Sequence, residues 1–529
     1  MKRNFTILMS MLGLIAMQGQ STFLDTNNLK MNVRPTGDIG WEYGVNGCLS
    51  PATAAPSSSN KTFLFASSLW MGGMEENSTL HLAANNYLQS GSDFSGGPVA
   101  TVYDSSYDAT YNRSWSISID QIENHIANYG EPGYTIPEVI ANWPANGDVS
   151  NGMSAKLAPF EDLNGNDIYE PLLGEHPLIR GDKAVLVIYN DDREINFSSG
   201  GNSIGAEVHL MMYGYDSSDE DISNTVFLHY EIFNRGIYNL SDFKVGRWED
   251  WDLGFYNDDQ VGCDLDRNLS FVNNGDSNDE GINAYGTHPP AAGMVVLNES
   301  MDAHMYYNNT LDTVDGYPVT AIHYYNYMSG KMKDGSSYEV DSVATSYMFP
   351  GTTDPAFPGL NITEDYFNDE PGDRRAINAT NIGDFNEGTS ICLDYAYVFA
   401  WDTTNTNFEN LDFLKERVDS VQAFYDNHFV DCSDFSVDIE NLGVVELLEQ
   451  SGFEAWYVSN SNTWRIRNSD SEAQMVELTI SNIHGQILDI QKWDTTRDFK
   501  LNKGTKASGL YYISIHKKGT VFNFPILFK

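Results

Sequence analysis

The alternation of apolar and polar positions predicts a chain built mainly from short β-strands. Residues 183–189 form a continuous apolar run, and residues 207–213 and 225–233 alternate in the way of half-buried strands. Similar runs predict strands at 62–69, 79–84, 294–297, 323–328 and 391–401, with residues 70–73 as the turn of a hairpin between the first two. Because aromatic residues occur on both faces of 225–233, we expect two stacked sheets.

A few segments have helical rather than strand spacing. Ser118 or Asp120 is a candidate cap for a helix that ends at Gly130, and a shorter helix follows Pro137 and stops before Pro144. Residues 408–427 place apolar side chains roughly in helical register. These helices are short interruptions in a sequence rich in Gly, Asn, Asp and Ser, which favours strands joined by turns.

The composition changes near the C-terminus. Residues 451–529 carry ten Lys and Arg against seven Asp and Glu, whereas the whole chain has a formal net charge of -44. Strict alternation returns in this last part, for example at Val476, Leu478 and Ile480, and predicts a small antiparallel sandwich. We therefore predict a mainly β protein: a multi-domain β-sandwich body with a few short helices, then a small immunoglobulin-like antiparallel β-sandwich.

The N-terminus has the layout of a cleavable signal peptide over residues 1–20. Lys2 and Arg3 precede an apolar run from Phe5 to Met17, which is too short to span a membrane, and no later segment is long and apolar enough to do so. The resulting organisation is a signal peptide (1–20), an acidic body (21–435, with an alternative split into two subdomains near residue 180), a linker (436–450) and a C-terminal domain (451–529).

Charge and cysteine content limit the partners and the compartment. The large negative charge argues against nucleic acid and anionic membrane surfaces, since both would repel the chain. It favours divalent cations instead. Cys48, Cys263, Cys392 and Cys432 allow two disulfides in an exported protein, with three pairings open, or inert buried thiols.

The most acidic stretch runs from Lys244 to Asn274 and is the first candidate metal site. Carboxylates crowded in this way repel one another unless a cation lies among them, and calcium takes about six to eight oxygen ligands. We expect this stretch to form loops at one end of the sandwich and to bind calcium. The candidate ligands are Asp250, Asp252, Asp258, Asp259 and Asp264.

A second candidate calcium site lies in residues 162–170. Oxygen-bearing side chains occupy every second position, which resembles the start of an EF-hand-like or dockerin-like loop. Asp167 replaces the usual turn glycine and Leu173 the last acidic ligand, so that Glu170 or Glu175 would have to substitute. The alternative is an Asx-rich turn without an ion. The predicted ligands are Asp162, Asn164, Asn166, the carbonyl of Ile168, and Glu170.

Three motifs near the C-terminus carry a resemblance. They are residues 442–446 (LGVVE), 478–486 (LTISNIHGQ) and 508–515 (SGLYYISI), followed by a final strand that ends at Lys529. Together they resemble the C-terminal type A sorting domain of substrates of the type IX secretion system of Bacteroidetes. Residues 456–460 replace the Tyr-Pro-Asn-Pro signature of that family. The resemblance implies export through the periplasm and outer membrane, with the outer-membrane secretion machinery as a partner.

The body resembles large exported proteins that carry the same sorting domain and have no assigned activity. The similar segments are 65–73, 143–147, 158–162, 258–264 and 372–375. Two function classes stay open. The first is a calcium-stabilised secreted or cell-surface protein with a structural, adhesive or glycan-binding role. The second is an extracellular glycoside hydrolase that uses a pair of carboxylates among Glu249, Asp250 and Asp252.

Overall fold

The structure is a computed structural model, and it divides the chain into two compact units, residues 1–436 and 437–529. In the first unit it describes residues 21–41, 48–49, 61–86, 92–281, 283–429, 431–433 and 435. In the second unit it describes residues 453–458, 463–468, 475–482, 487–495, 499–502, 509–517 and 520–528. The predicted signal peptide and the predicted linker lie outside the described residues.

The first unit, which we call the body, is mainly β. Its strands are β1 Thr22–Leu24, β2 Met31–Val33, β3 Cys48–Leu49, β4 Thr62–Leu64, β5 Ala66–Met74, β6 Leu80–Ala84, β7 Ser95–Gly96, β8 Ser114–Ser118, β9 Lys183–Asn190, β10 Ala206–Gly214, β11 Thr225–Asn234, β12 Leu240–Trp251, β13 Asp259–Asp264, β14 Leu269–Asn274, β15 Asn278–Asp279, β16 Gly286–Thr287, β17 Ala291–Val296, β18 Ala303–Asn308, β19 Tyr338–Val340, β20 Val343–Thr345, β21 Arg374–Phe385 and β22 Ser390–Ala400.

Two large antiparallel sheets form most of the body, and the pairs β1-β2, β3-β4, β15-β16 and β19-β20 form small two-stranded sheets. The larger has the order β13-β14-β17-β22-β11-β10-β9-β7, with β8 also paired to β9, and the smaller has the order β18-β21-β12-β5-β6. One apolar cluster contains buried side chains from both sheets, among them Val208, Tyr230 and Trp251. The stacked arrangement predicted from aromatic residues on both faces of 225–233 is therefore confirmed. Strands before and after residue 180 share both sheets, so the body has no boundary there.

The acidic stretch does not begin as a loop, and in this respect the prediction was wrong. Residues up to Trp251 belong to β12, the central strand of the smaller sheet, which pairs with β5 on one side and β21 on the other. The strand is buried on both faces because alternate side chains contact different layers. Arg247 and Trp251 contact the larger sheet, whereas Trp248 stacks on Trp70 on the opposite face.

The helices of the body are α1 Ser105–Tyr111, α2 Ile119–Asn128, α3 Glu138–Ala141, α4 Glu220–Ser223, α5 Ala321–Met328, α6 Glu364–Phe367 and α7 Asn407–His428. Single turns of 3-10 helix occur at Val149–Asn151, Pro171–Leu173 and Leu265–Arg267. The predicted helices at 120–130, 137–142 and 408–427 are confirmed as α2, α3 and α7. Ser118 caps α2 through a reciprocal bond pattern with Gln121, and Thr406 and Glu409 do the same for α7.

One predicted strand is a helix. Residues 323–328 were expected to be extended because they are rich in tyrosine, but they lie in α5. The buried side chains Tyr324, Tyr327 and Met328 follow helical rather than alternating spacing, and Tyr324 packs edge-on against Trp70. The contact with the outer face of the smaller sheet outweighs the local strand preference of tyrosine.

The predicted turn at residues 70–73 is also wrong, although the predicted hairpin is present. The strand β5 continues through Gly72 and Gly73 to Met74 before it turns back into β6. A Cβ atom on Gly73 would lie 2.9 Å from the ring of Phe243. The glycines therefore allow close approach of neighbouring groups inside the sheet, and the turn comes later, where Glu75 N–H donates to the carbonyl of Thr79 (2.9 Å).

The second unit contains two antiparallel sheets. Its strands are β23 Phe453–Val458, β24 Thr463–Asn468, β25 Met475–Asn482, β26 Ile487–Asp494, β27 Phe499–Asn502, β28 Gly509–Lys517 and β29 Thr520–Phe528. The orders are β23-β24-β27 and β26-β25-β28-β29. Val476, Leu478 and Ile480 are buried, as their alternation predicts. The prediction of a small antiparallel β domain at this end of the chain is confirmed.

The cysteines form one bridge where two were allowed by the sequence. Cys392 and Cys432 are joined by a disulfide, whereas Cys48 and Cys263 are buried free thiols. The described helices include none that is long and apolar enough to cross a membrane.

A buried histidine on β18 predicts a loss of stability in acid. His304 is fully buried, and its Nδ1 donates to the carbonyl of Met348 (2.8 Å). Burial lowers its pKa from 6.5 to about 4. Below pH 6.5, His304 is therefore protonated in the unfolded chain while it stays neutral in the folded chain. This difference lowers the free energy of unfolding by about 3 kcal/mol as the pH falls to 4.

The measurement compares urea unfolding of the wild type and His304→Gln between pH 7 and pH 4. Buried carboxyl groups with raised pKa values act in the opposite direction over part of this range, so only the difference between the two proteins isolates His304. We expect the unfolding free energy of the wild type to fall relative to the variant as the pH drops. Parallel curves would contradict the prediction.

Candidate metal centre

The strand β12 sends two neighbouring carboxylates to opposite faces of the smaller sheet. Glu249 lies between the sheets, where its carboxylate accepts from Asn378 Nδ2 (2.7 Å) and from the hydroxyl of Tyr397 (3.3 Å). Burial raises the pKa of Glu249 to about 8. Because Glu249 is fully buried in the interior, a polysaccharide cannot contact it. Of the three carboxylates proposed for a glycoside hydrolase, Asp250 and Asp252 therefore remain as candidates.

Asp250 lies on the other face and belongs to a group of three carboxylates. Oxygen atoms of Asp250, Asp252 and Asp373 lie within 4.8 Å of one another. Asp250 is the next-to-last residue of β12 and lies opposite Arg375 of the paired strand β21, and Asp373 immediately precedes that strand. Asp250 is buried, whereas Asp252 and Asp373 are half-buried. We call this group, which is partly accessible to solvent through Asp252 and Asp373, the Asp250 trio.

A single guanidinium forms ion pairs with two of the three carboxylates. Arg375 Nη2 lies 3.2 Å from Asp250 Oδ2, and its Nη1 lies 2.6 Å from Asp373 Oδ1. The adjacent Arg374 pairs instead with Glu364 (2.6 Å), so both arginines at the start of β21 bind carboxylates of the acidic body. Three carboxylates around one arginine leave an excess of negative charge at this point.

The electrostatics of the trio reflect that excess. Burial raises the pKa of Asp252 to about 7, and the neighbouring Asp373 adds to the effect. Burial also holds the pKa of Asp250 well above its ordinary value, although Arg375 opposes it. Asp250 Oδ1 is buried and accepts no hydrogen bond from the residues that the structure describes. A buried carboxylate oxygen without a donor is costly and is a natural ligand for a hard cation.

The other predicted aspartates of this stretch are not part of the trio. Asp259 Oδ2 accepts from the backbone N–H of Leu253 (3.0 Å), and Asp258 Oδ2 accepts from that of Glu280 (3.1 Å). Asp264 pairs with Arg267 (2.9 Å) at the far end of β13. These residues hold loops and turns in place, and each also has a second carboxylate oxygen that is buried and accepts no hydrogen bond from the described residues. The five predicted aspartates therefore do not all belong to the one close group of carboxylates.

The 162–170 loop is closed by its own hydrogen bonds. Asp162 accepts from the backbone N–H groups of Gly165 (2.8 Å), Asn166 (3.2 Å) and Asp167 (2.8 Å). Asn166 Oδ1 accepts from the N–H of Ile168 (2.7 Å). Asp167 adopts φ 61°, which explains how the loop turns without a glycine at this position.

Two glutamates complete this loop in different ways. Glu170 Oε2 accepts from the side-chain amides of Asn164 (2.9 Å) and Asn166 (2.8 Å). Glu175 is buried and accepts from the N–H groups of Leu163 (3.2 Å) and Glu170 (2.7 Å). The five predicted ligands are thus gathered in one exposed turn, in an arrangement that the Asx-turn alternative also explains.

A second acidic grouping in the body does not offer a metal site. His229, Cys392 and Asp394 lie close together, but the sulfur of Cys392 is in the disulfide. Asp394 already binds Arg180 (3.0 Å), His229 (2.8 Å) and the hydroxyl of Tyr425 (2.5 Å). Its charge is satisfied by the protein itself.

Among the residues that the structure describes, the Asp250 trio is the close group of three carboxylates that could hold a cation. It supplies only carboxylate oxygens, which is the ligand set of calcium and magnesium, and it has an oxygen that the described residues leave without a donor. Asp373 was missed by the sequence reasoning because it is more than a hundred residues away from Asp250. The signal in the sequence was its position before two adjacent arginines, Arg374 and Arg375, in a chain with few basic residues.

Comparison with known proteins adds no relative. No family model matches the chain. No curated protein matches it at a significant level either.

Proposed function

We propose that this chain is an exported, calcium-stabilised protein with a structural, adhesive or glycan-binding role at the cell surface or in the medium. The observation that carries the calcium part is the Asp250 trio, in which three carboxylates share one arginine and a buried oxygen of Asp250 accepts no hydrogen bond from the described residues. A bound cation would neutralise the remaining charge and tie the end of β12 to the start of β21.

Two observations support export. The apolar run near the N-terminus has the layout of a signal peptide, and the body contains the Cys392–Cys432 disulfide, a bond that persists mainly in exported proteins. The last unit is a separate antiparallel β domain, which agrees with the resemblance of its motifs to a type IX sorting domain. On this proposal the outer-membrane secretion machinery recognises that unit.

The test uses protein recovered from outside the producing cells. Mass spectrometry of the recovered chain should find residues 1–20 removed. Calorimetry of the same sample should show that calcium at about one hundred times its dissociation constant adds about 2.7 kcal/mol. For a body of this size that corresponds to a melting temperature about 3 °C higher than in chelator.

Matched variants locate the cation. Asp252→Asn should abolish the calcium increment, and it should not lower the melting temperature in chelator because it also removes repulsion from Asp373. Asp266→Asn changes the net charge equally at an exposed site and should keep the increment. Asp162→Asn tests the 162–170 loop separately. A wild-type melting temperature that is the same with calcium and with chelator would remove calcium from the proposal.

A further inference from the structure

A cavity lies beside β18, the edge strand of the smaller sheet, and its lining includes none of the three carboxylates of the Asp250 trio. Its volume is about 390 Å3, which is in the range of small-molecule sites. One wall is aromatic and includes Tyr306, Tyr338, Phe349 and Phe367. Tyr338 and Phe367 are only half-buried, so their rings are accessible from the cavity.

The charged groups that line this cavity are mostly negative. Three carboxylates line it, those of Asp315, Asp369 and Glu370, and the described residues make no ion pair with any of them. Asp315 accepts from the side-chain amide of Asn308 (3.1 Å). Arg374 is the one basic residue in the lining.

Arg374 is not free to neutralise these carboxylates. Its guanidinium binds Glu364 through Nε (3.1 Å) and Nη2 (2.6 Å), and Nη2 also donates to the carbonyl of Glu370 (2.5 Å). It also lies over the ring of Tyr306, 5.1 Å from the ring centroid. Here the protein itself places a cation between an aromatic face and a carboxylate.

We propose that this cavity binds an organic cation, an alkylammonium group that rests against the Tyr338 and Phe367 rings with its charge facing Asp369, Glu370 and Asp315. Aromatic faces attract cations, and quaternary ammonium groups are bound in proteins by such rings. The carboxylates add attraction, because Arg374, the one cation of the described lining, makes its ion pair with Glu364 and not with them. The occupant is therefore a small amine or the lysine side chain of another protein, which share this chemistry.

The experiment titrates the full protein with choline and, in parallel, with 3,3-dimethylbutan-1-ol, its uncharged isostere, and follows both by calorimetry and NMR. We expect choline to bind and the alcohol to bind at least about tenfold more weakly, since the two ligands differ only in charge. Equal affinity for both ligands, or binding of neither choline nor the lysine peptide described below, would overturn the proposal.

Variants distinguish the aromatic and the charged contributions. Tyr338→Leu should weaken choline binding about fivefold, whereas Tyr338→Phe keeps the ring and should bind as the wild type does. Asp369→Asn should weaken binding by about tenfold. Glu339→Gln is the charge-matched control because Glu339 is exposed, adjacent to Tyr338 and outside the lining. Loss of binding in Glu339→Gln equal to that in Asp369→Asn would also count against the cavity.

A further arm identifies the source of the cation. Butylammonium is compared with the peptide Gly-Gly-Lys-Gly-Gly, whose lysine carries the same alkylammonium group. Tighter binding of the peptide indicates a protein partner, and tighter binding of the free amine or of choline indicates a small molecule. All titrations are repeated in excess calcium. If calcium displaces choline and Asp252→Asn also abolishes choline binding, choline binds at the Asp250 trio. That result would overturn the cavity proposal.

Discussion

Replacing Arg247 with methionine is expected to destabilise the body by about 3–5 kcal/mol. Arg247 is fully buried between the two sheets and donates to the hydroxyls of Tyr230 (2.7 Å), Tyr397 (3.1 Å) and Ser67. Methionine fills much of the same space but leaves those hydroxyls without their shared donor. The hydroxyls of Tyr397 and Ser67 keep the hydrogen bond between them (2.7 Å), but Tyr230 loses the guanidinium donor and the buried Glu249 loses its neighbouring positive charge. A similar side-chain volume therefore does not rescue the variant.

The measurement is urea unfolding followed by tryptophan fluorescence, because Trp248 and Trp251 lie on the same strand and are fully buried. Tyr230→Phe removes one of the hydroxyls and should cost about 1.5–3 kcal/mol, a smaller loss than that of Arg247→Met. Arg113→Met, at a half-exposed arginine, should change the unfolding free energy by less than about 0.5 kcal/mol. An Arg247→Met protein as stable as the wild type would show that the buried charge is not needed by the fold.

The difference between the predicted and observed course of this strand has a physical origin. Four of the eight residues from Lys244 to Trp251 are apolar or glycine, and the other four are charged: Lys244, Arg247, Glu249 and Asp250. Charged residues are rarely buried, so the sequence favours a loop. In the folded protein these charged residues can be buried because distant strands supply their partners. Tyr397 bonds Arg247, Asn378 bonds Glu249 and Arg375 bonds Asp250, each from more than a hundred residues away.

Features with a local cause were predictable from the sequence. The helices α2 and α7 carry their own caps at Ser118 and Thr406, and the strands β9, β10 and β11 show their burial in their own residue pattern. The Asp250 trio was only partly predictable, because Asp373 joins it through the pairing of β12 with β21. The helix α5 was missed because its tyrosines are buried by contacts that the segment alone does not reveal.

Disulfide pairing was likewise open in the sequence, and it leads to the second large effect. Removing the Cys392–Cys432 bridge in a Cys392→Ala/Cys432→Ala double variant should cost about 4 kcal/mol. The bridge joins residues separated by 40 positions, and closing a loop of that length removes about this much conformational free energy from the unfolded chain. The loop contains α7, whose residues Leu414, Val418 and Val421 are buried.

The bridge also holds the segment after α7 against the larger sheet. Arg180 Nη2 donates to the carbonyls of Asp431 and Cys432 (both 3.4 Å), and the same guanidinium lies 4.3 Å from the centroid of the Phe429 ring. Asp394, which pairs with Arg180, lies on β22 two residues after Cys392. Without the bridge these contacts remain available, so we expect a folded but less stable body rather than a different fold.

The test is urea unfolding of the wild type and the double variant, each with and without a thiol reductant. Reductant should lower the unfolding midpoint of the wild type to that of the variant and leave the variant unchanged. Cys48→Ala is the control, because Cys48 is a buried free thiol and its removal leaves the bridge intact. If reductant lowered the wild type and the double variant equally, the stabilisation would not come from this disulfide. If reductant lowered the unfolding midpoint of neither protein, the disulfide would not stabilise the body by restricting the unfolded chain.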